Sequence, residues 1–239
     1  MSSDSTTPPG SARSTEHRYG LVLGLTVLAV LFSILAPDTP LGRAIAVLLQ
    51  GTMLFAVIAT SREGGRGEGE RGPHPRSLAA TLTVVGLLGL AALVALSVVP
   101  LWVGAAGTAM AVMAVLIVLT RGVIRLIGER GVTLPAVAGA LTTYLLIGLE
   151  FALVIRVLVG VSPHPYFQQA ANTMVTQSQE IYFSFTTLTT TGYGDLTPIL
   201  NAGRALAVLE MLIGQIYLVT VIGLLVGNLR QRPSQARET

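Results

Sequence analysis

A series of long apolar runs, separated by short segments that carry Arg, constrains this chain more than any other feature. One bilayer crossing takes about 20 apolar residues, and six runs have roughly that length. Only 11% of the residues are charged, whereas soluble domains carry about 25%. We therefore predict an all-α membrane protein with six transmembrane helices, at residues 19–36, 41–60, 77–99, 101–120, 134–160 and 199–228.

The 15 basic residues are all Arg, and their positions predict the orientation of the chain. With a cytoplasmic amino terminus, all but three of them lie on inner segments; the exceptions are Arg43, Arg156 and Arg204. Positive charge collects on the cytoplasmic side of membrane proteins. We therefore expect an integral protein of the plasma membrane with both termini in the cytoplasm. The same distribution explains the net charge of +3 without a nucleic-acid partner.

The two ends of the chain are predicted to lie outside the membrane. Residues 1–18 are rich in Ser, Thr and Pro, which predicts a disordered cytoplasmic tail, and residues 229–239 form a second tail. Arg13 and Arg18 before an apolar run also fit a signal peptide, although the run is long for one. The absence of Cys excludes disulfides and thiolate metal sites, and the three scattered His offer no zinc site.

Residues 19–120 are predicted to form a four-helix transmembrane domain that does not sense voltage. A voltage sensor needs several Arg inside a membrane helix, and residues 101–120 contain none. Arg121, Arg125 and Arg130 follow instead, in an interfacial linker at 121–133. Two interpretations of this linker remain open: a short amphipathic helix on the inner leaflet, or a cluster of anchoring charges.

A shorter apolar segment lies between the fifth and sixth runs and cannot cross the bilayer and return. Thr176 followed three residues later by Gln179 is typical of a helix start, and we expect the helix to end near Thr189. Non-helical backbone at membrane depth survives only if protein buries it or if it lines a watery path. The segment is therefore predicted to re-enter the membrane and leave on the same side.

The residues after this helix, Thr190-Thr191-Gly192-Tyr193-Gly194, resemble the selectivity filter of potassium channels, whose common form is TVGYG. Asp195 and Pro198 extend the match, and the flanking helices resemble the pore domain of prokaryotic potassium channels over 134–228. The four preceding helices match the six-helix channels only in number. Thr191 stands where Val or Ile is usual, which leaves fine selectivity open.

This resemblance implies that backbone carbonyls replace the hydration shell of K⁺. The carbonyls of Thr190, Thr191, Gly192 and Tyr193 would contact the ion, and the Thr190 hydroxyl would add the innermost ring. Inward carbonyls require successive residues to alternate in hand, and Gly192 and Gly194 accept a positive φ because they lack a Cβ.

The resemblance also implies roles around the filter. Asp195 would raise the cation concentration at the outer mouth, and Tyr193 would point away from the axis against Tyr182 and Phe183. Gly214 is a candidate hinge of the inner helix, with simple packing as the alternative. The candidate cavity residues, for which core packing is also the alternative, are Gln215, Leu218, Ile222 and Val226.

Four ionisable residues lie within the last two runs. Glu150 and Glu210 are candidates for structural hydrogen bonding or for gating. Glu210 lies one turn before Gly214, where it would face the back of the re-entrant helix. Arg156 and Arg204 are expected to extend to the outer surface.

One chain carries one filter segment, whereas a ring requires four, so the resemblance implies a homotetramer in the lipid bilayer. The predicted function is passive K⁺ conduction, with no enzyme activity and no cofactor besides the permeating ion. Two alternatives remain open: a nonconducting or regulatory channel subunit, and a K⁺ transporter, although such transporters fuse several filter loops in one chain.

Overall fold

Five α-helices make up most of the described chain in the computed structural model, which describes residues 10–35, 39, 45, 49, 101–130, 132–170 and 174–223. Within these ranges the regular elements are helical, and one isolated β-bridge joins Phe167 to Pro198. The helices are α1 Gly10–Leu35, α2 Leu101–Arg130, α3 Leu134–Val161, α4 Gln177–Leu188 and α5 Asn201–Tyr217, with a 3-10 turn at Gln168–Ala170 and a π-helical turn at Leu218–Ile222.

Within the part of the chain that the structure describes, three helical stretches are long and apolar enough to cross a membrane: Trp102–Arg125, Leu134–Val161 and Asn201–Val221. They correspond to the fourth, fifth and sixth predicted runs, so the all-helical membrane fold is confirmed to this extent. The apolar part of α1, Gly20–Leu35, is shorter. The second and third predicted runs lie outside the described residues apart from positions 45 and 49.

The structure differs from the sequence analysis at two helix boundaries. The disordered tail was expected to reach residue 18, but α1 already begins at Gly10. Once a helix has formed, each added residue gains a hydrogen bond without a new nucleation cost, so polar residues can join an apolar helix. The linker is not a separate interfacial helix either, because α2 continues without a break from Leu101 to Arg130.

Helix α3 lies at the centre of the described fold. It begins after Thr133 with Pro135 in its first turn, where the missing N–H is tolerated. It packs against α1 and α2 and also against α4 and α5. Buried small residues such as Ala136 and Ala140 let the helix backbones approach closely. The short helix α4 is thereby held between α3 and α5.

Candidate ion-conduction site

Helix α4 begins with the predicted capping box. The Thr176 Oγ1 atom accepts a hydrogen bond from the Gln179 backbone N at 3.2 Å, and the Gln179 Oε1 atom accepts one from the Thr176 N at 3.0 Å. The helix has 12 residues and ends at the C-cap Thr189, as expected. Its length of about 18 Å is well below the roughly 30 Å of a bilayer core. The partial negative charge of its carboxyl end adjoins the filter sequence, which favours a cation there.

In the predicted filter segment, every second residue from Thr190 to Gly194 has a positive φ. Gly192 and Gly194 have φ values of 53° and 79°, which confirms the conformation expected of them, and Thr190 has a φ of 57°. A Cβ added at either Gly would meet nothing within 4 Å, so the need for Gly is conformational. The positive φ of Thr190 was not predicted; it costs about 1–3 kcal/mol for a residue with a side chain.

Backbone hydrogen bonds hold the start of the filter against the last turn of α4. The N atoms of Thr191 and Gly192 both donate to the Thr186 carbonyl, at 2.8 and 3.1 Å, and the Thr190 N donates to the Thr187 carbonyl at 2.9 Å. These bonds satisfy carbonyls that a helix end leaves free. They also bring the chain into the left-handed conformation at Thr190.

The hydroxyl of Thr191 has a partner that accounts for its polar side chain. The Thr189 Oγ1 atom donates to the Phe185 carbonyl at 2.7 Å and lies 2.8 Å from the Thr191 Oγ1 atom. Because the single hydrogen of Thr189 is used by Phe185, Thr191 is the donor to Thr189. Thr at the usual Val position therefore adds a hydrogen bond between the filter and the end of α4.

Tyr182 and Phe183, both expected to support the filter, face different neighbours. Tyr182 stacks on Tyr193, with ring centroids 6.3 Å apart and planes 5° apart, and its hydroxyl donates to Asp195. Phe183 instead packs edge-on against Phe167 and Tyr166, with centroid distances of 4.9 and 6.4 Å. Successive residues of a helix do not share a face, so only Tyr182 meets Tyr193.

The loop after the filter is held by hydrogen bonds to the segment before α4. The Gln169 Oε1 atom accepts from the Thr197 N at 2.9 Å, and the Gln168 N donates to the Thr197 carbonyl at 2.9 Å. Arg204 donates through its Nε atom to the Pro198 carbonyl at 3.1 Å. These contacts fix the chain that follows Asp195, which is exposed.

Arg156 forms an ion pair that the sequence analysis did not predict. Its Nε and Nη2 atoms lie 2.6 and 2.5 Å from the Glu180 Oε2 atom, and its Nη1 atom donates to the Gln177 Oε1 atom at 3.3 Å. Glu180 is only 3% exposed. The pair joins α3 to the first turn of α4. The signal that sequence analysis missed was the presence of opposite charges on two adjacent apolar segments.

Glu210 faces the back of α4, as the sequence predicted. It is fully buried, and its Oε1 atom lies 2.5 Å from the Ser184 Oγ atom. Ser184 was not predicted as a site residue, yet its Oγ atom also lies 2.6 Å from the Gly148 carbonyl on α3. This close approach is possible because a Cβ at Gly148 would lie 2.9 Å from the Phe185 ring. Glu150 is buried too, at 7% exposure.

Four of the five candidate hinge and cavity residues lie along α5 and the turn after it: Gly214, Gln215, Leu218 and Ile222. Gly214 is buried against the end of α4, where an added Cβ would lie 2.3 Å from the Leu188 carbonyl O, which favours packing as its role. Gln215 and Leu218 are exposed, and the π-helical turn includes Leu218 and Ile222. Bends in helices concentrate at such turns. Val226 lies outside the described residues.

Comparison with known proteins gives one positive result. A family model described as "Ion channel" matches residues 139–231, which include most of α3, all of α4 and α5, and the filter sequence. No match was found among curated proteins, and none was found among solved structures. Together with the apolar helices, the family match supports an integral membrane protein with a channel-like segment. The match therefore shows that residues 139–231, which carry the filter sequence, are similar to an ion-channel family.

Proposed function

We propose that this protein is a potassium-selective channel that conducts K⁺ passively as a homotetramer. The observation that carries the proposal is the alternation of positive φ at Thr190, Gly192 and Gly194, directly after a helix too short to cross the membrane. A backbone of alternating hand can turn successive carbonyls toward one axis. Such a ring of carbonyls can replace the hydration shell of K⁺.

In this proposal the carbonyls of Thr190, Thr191, Gly192 and Tyr193 bind the permeating ion, and Gly194 completes the segment. The Thr190 hydroxyl supplies the innermost ring of ligands, and Asp195 attracts cations to the outer mouth. Gln215, Leu218, Ile222 and Val226 line the inner cavity. The chain needs no cofactor for this activity, because conduction follows the electrochemical gradient.

Exposed apolar side chains support assembly with further copies of the chain. Tyr193 is 70% exposed although one face of its ring stacks on Tyr182. Along α5 and the π-helical turn, large apolar side chains are also exposed: Val208, Leu209, Leu212, Ile216 and Val219. Neighbouring subunits and lipid would cover this surface, and four filter segments would surround the pore axis.

The proposed setting is the plasma membrane, with six spans and both termini in the cytoplasm. The distribution of Arg supports this orientation. The first four spans would pack around the pore domain at 134–228 without sensing voltage, since the apolar stretch of α2 contains no Arg before Arg121.

A flux assay tests the proposal. The purified protein is reconstituted into liposomes with a K⁺ gradient, and its oligomeric state is measured by light scattering in detergent. We expect tetramers that pass K⁺ rapidly, exclude Na⁺, are blocked by Ba²⁺ and need no coupling ion. Tetramers without flux would favour a regulatory subunit, and flux that requires a second ion would favour a transporter; either result would refute the proposal.

A further inference from the structure

The Ser184 hydroxyl lies close to two oxygen atoms but has only one hydrogen to donate. Its Oγ atom lies 2.6 Å from the Gly148 carbonyl O and 2.5 Å from the Glu210 Oε1 atom, and both distances are those of full O–H···O hydrogen bonds. Ser184 has a single hydrogen, and a backbone carbonyl has none to give. One of the two contacts therefore needs a hydrogen from Glu210.

The surroundings of Glu210 support a neutral side chain. Glu210 is fully buried, and its Oε2 atom has no hydrogen-bond partner among the described residues. The groups that face it from neighbouring elements are Ser184 on α4, Tyr144 on α3 and Tyr166, none of which is cationic. Burying a carboxylate without a cation or a full set of hydrogen bonds is costly, whereas a protonated acid is tolerated.

The ion pair between Glu180 on α4 and Arg156 on α3 does not supply a cation for Glu210. Glu180 lies one turn before Ser184 and is already engaged by Arg156. Arg204, on α5 itself, donates to the Pro198 carbonyl at the outer loop. The two cations described on α3 and α5 thus have other partners.

We propose that Glu210 is a protonated positioning residue: it donates a hydrogen bond to the Ser184 Oγ atom, and Ser184 donates to the Gly148 carbonyl. This relay joins the inner helix α5, the pore helix α4 and the outer helix α3 at one buried point. Because α4 ends at the filter, the relay holds the filter in register. The inference deepens the proposed channel function and depends on it for its effect on flux.

The relay predicts the direction in which the stability of the protein changes with pH. The relay requires the proton on Glu210, so its contribution falls when a rise in pH removes that proton. Loss of the proton would leave Ser184 with two acceptors and one hydrogen. Burial raises the pKa of Tyr166, so this phenol stays protonated in the same range.

The test measures thermal stability of the full-length protein in detergent and K⁺ flux in liposomes between about pH 7 and about pH 9, below the ordinary range of Tyr. In the wild type we expect flux to fall reversibly by about tenfold, the ratio that corresponds to loss of a typical hydrogen bond, and stability to fall with it. Glu210→Gln retains a donor that does not titrate. It should therefore match the wild type at neutral pH, and its flux and stability should not fall as the pH rises.

The matched control is Glu150→Gln, which neutralises another buried acid, on α3, but leaves Ser184 and Glu210 in place. In this variant, flux and stability should still fall as the pH rises, as in the wild type. If flux and stability no longer fall with pH in Glu150→Gln, or still fall in Glu210→Gln, the pH dependence does not come from Glu210.

Infrared spectroscopy tests the proton directly. At neutral pH the wild type should show the carbonyl stretch of a protonated carboxylic acid, and part of this band should disappear in Glu210→Gln made in the Glu150→Gln background. No difference between these two proteins would overturn the inference. Absence of K⁺ flux in the wild type at neutral pH would refute the channel proposal instead, and the infrared and stability measurements would still decide the state of Glu210.

Discussion

Replacing Gly214 by Ala tests whether this residue is a packing position or a hinge. The added Cβ would lie 2.3 Å from the Leu188 carbonyl O and 2.9 Å from the Leu188 Cδ1 atom. A C···O contact normally measures about 3.3 Å or more, so α5 and α4 would have to separate by about 1 Å. The nearest atom is backbone, which no change of rotamer can move away.

The cost of this separation can be estimated. Overpacking of a core costs about 1–3 kcal/mol, so four subunits of a tetramer would lose roughly 4–12 kcal/mol if the costs add. Helix α5 cannot shift freely to relieve the contact, because Glu210 meets Ser184 one turn earlier and the Tyr217 hydroxyl donates to the Ala140 carbonyl at 2.7 Å. The strain should therefore reach the end of α4 and the filter.

The assay compares melting temperature, tetramer content and K⁺ flux of Gly214→Ala with those of Gly223→Ala. Gly223 lies further along the same helical segment, and a Cβ there would meet nothing within 4 Å. We expect Gly214→Ala to lose stability and flux together and Gly223→Ala to resemble the wild type. Adding Leu188→Ala removes the Cδ1 contact but not the carbonyl contact, so it should not restore Gly214→Ala. A stable Gly214→Ala tetramer with altered opening alone would refute the packing argument and support a hinge.

Three further predictions concern the filter and its anchor. Gly192→Ala should abolish K⁺ flux while tetramers still form, because a Cβ at positive φ costs about 1–2 kcal/mol per chain and turns carbonyls off the axis; normal conductance in verified tetramers would exclude this filter assignment. Thr190→Cys should still conduct but weaken internal Ba²⁺ block by about tenfold or more, since losing four oxygen ligands affects the divalent ion most; Thr189→Cys is the control, and equal effects would place the filter register one residue away. Glu180→Ala should lower stability by about 3–5 kcal/mol per subunit, as it leaves the half-buried Arg156 without a carboxylate and with only its contact to Gln177; denaturation in detergent measures this, and a change under about 1 kcal/mol would mean that the pair is solvated.

Local signals in the sequence predicted the parts of the site that depend on near neighbours. The capping box of Thr176 and Gln179 involves residues three positions apart, and the helix end at Thr189 follows from the same short segment. The positive φ values of Gly192 and Gly194 were predictable because Gly is the residue that adopts them without cost.

Contacts between distant residues were not predictable in the same way. Arg156 and Glu180 are 24 residues apart, and Ser184 and Gly148 are 36 apart, so their meeting depends on how α4 lies between the other helices. Helix ends without a decisive local signal were also missed, as the continuous α2 shows. The conformation of Thr190 was not predicted either, because backbone hydrogen bonds between the residues around it and the preceding helical turn impose it.

The anchors of α4 explain how an unfavourable conformation at Thr190 can persist. A strained residue survives only where its surroundings over-determine it. Contacts hold α4 along its length: Arg156 pairs with its first turn, and Glu210 meets Ser184 in its middle. At its last residue, the Leu188 carbonyl accepts a hydrogen bond from the Tyr144 hydroxyl at 3.3 Å and packs against Gly214. All of these contacts come from α3 and α5 of the same chain, whereas the filter residues that follow are exposed. One chain can therefore fix the position of its own segment 190–194, and in the proposed homotetramer further copies would be needed only to complete the ring.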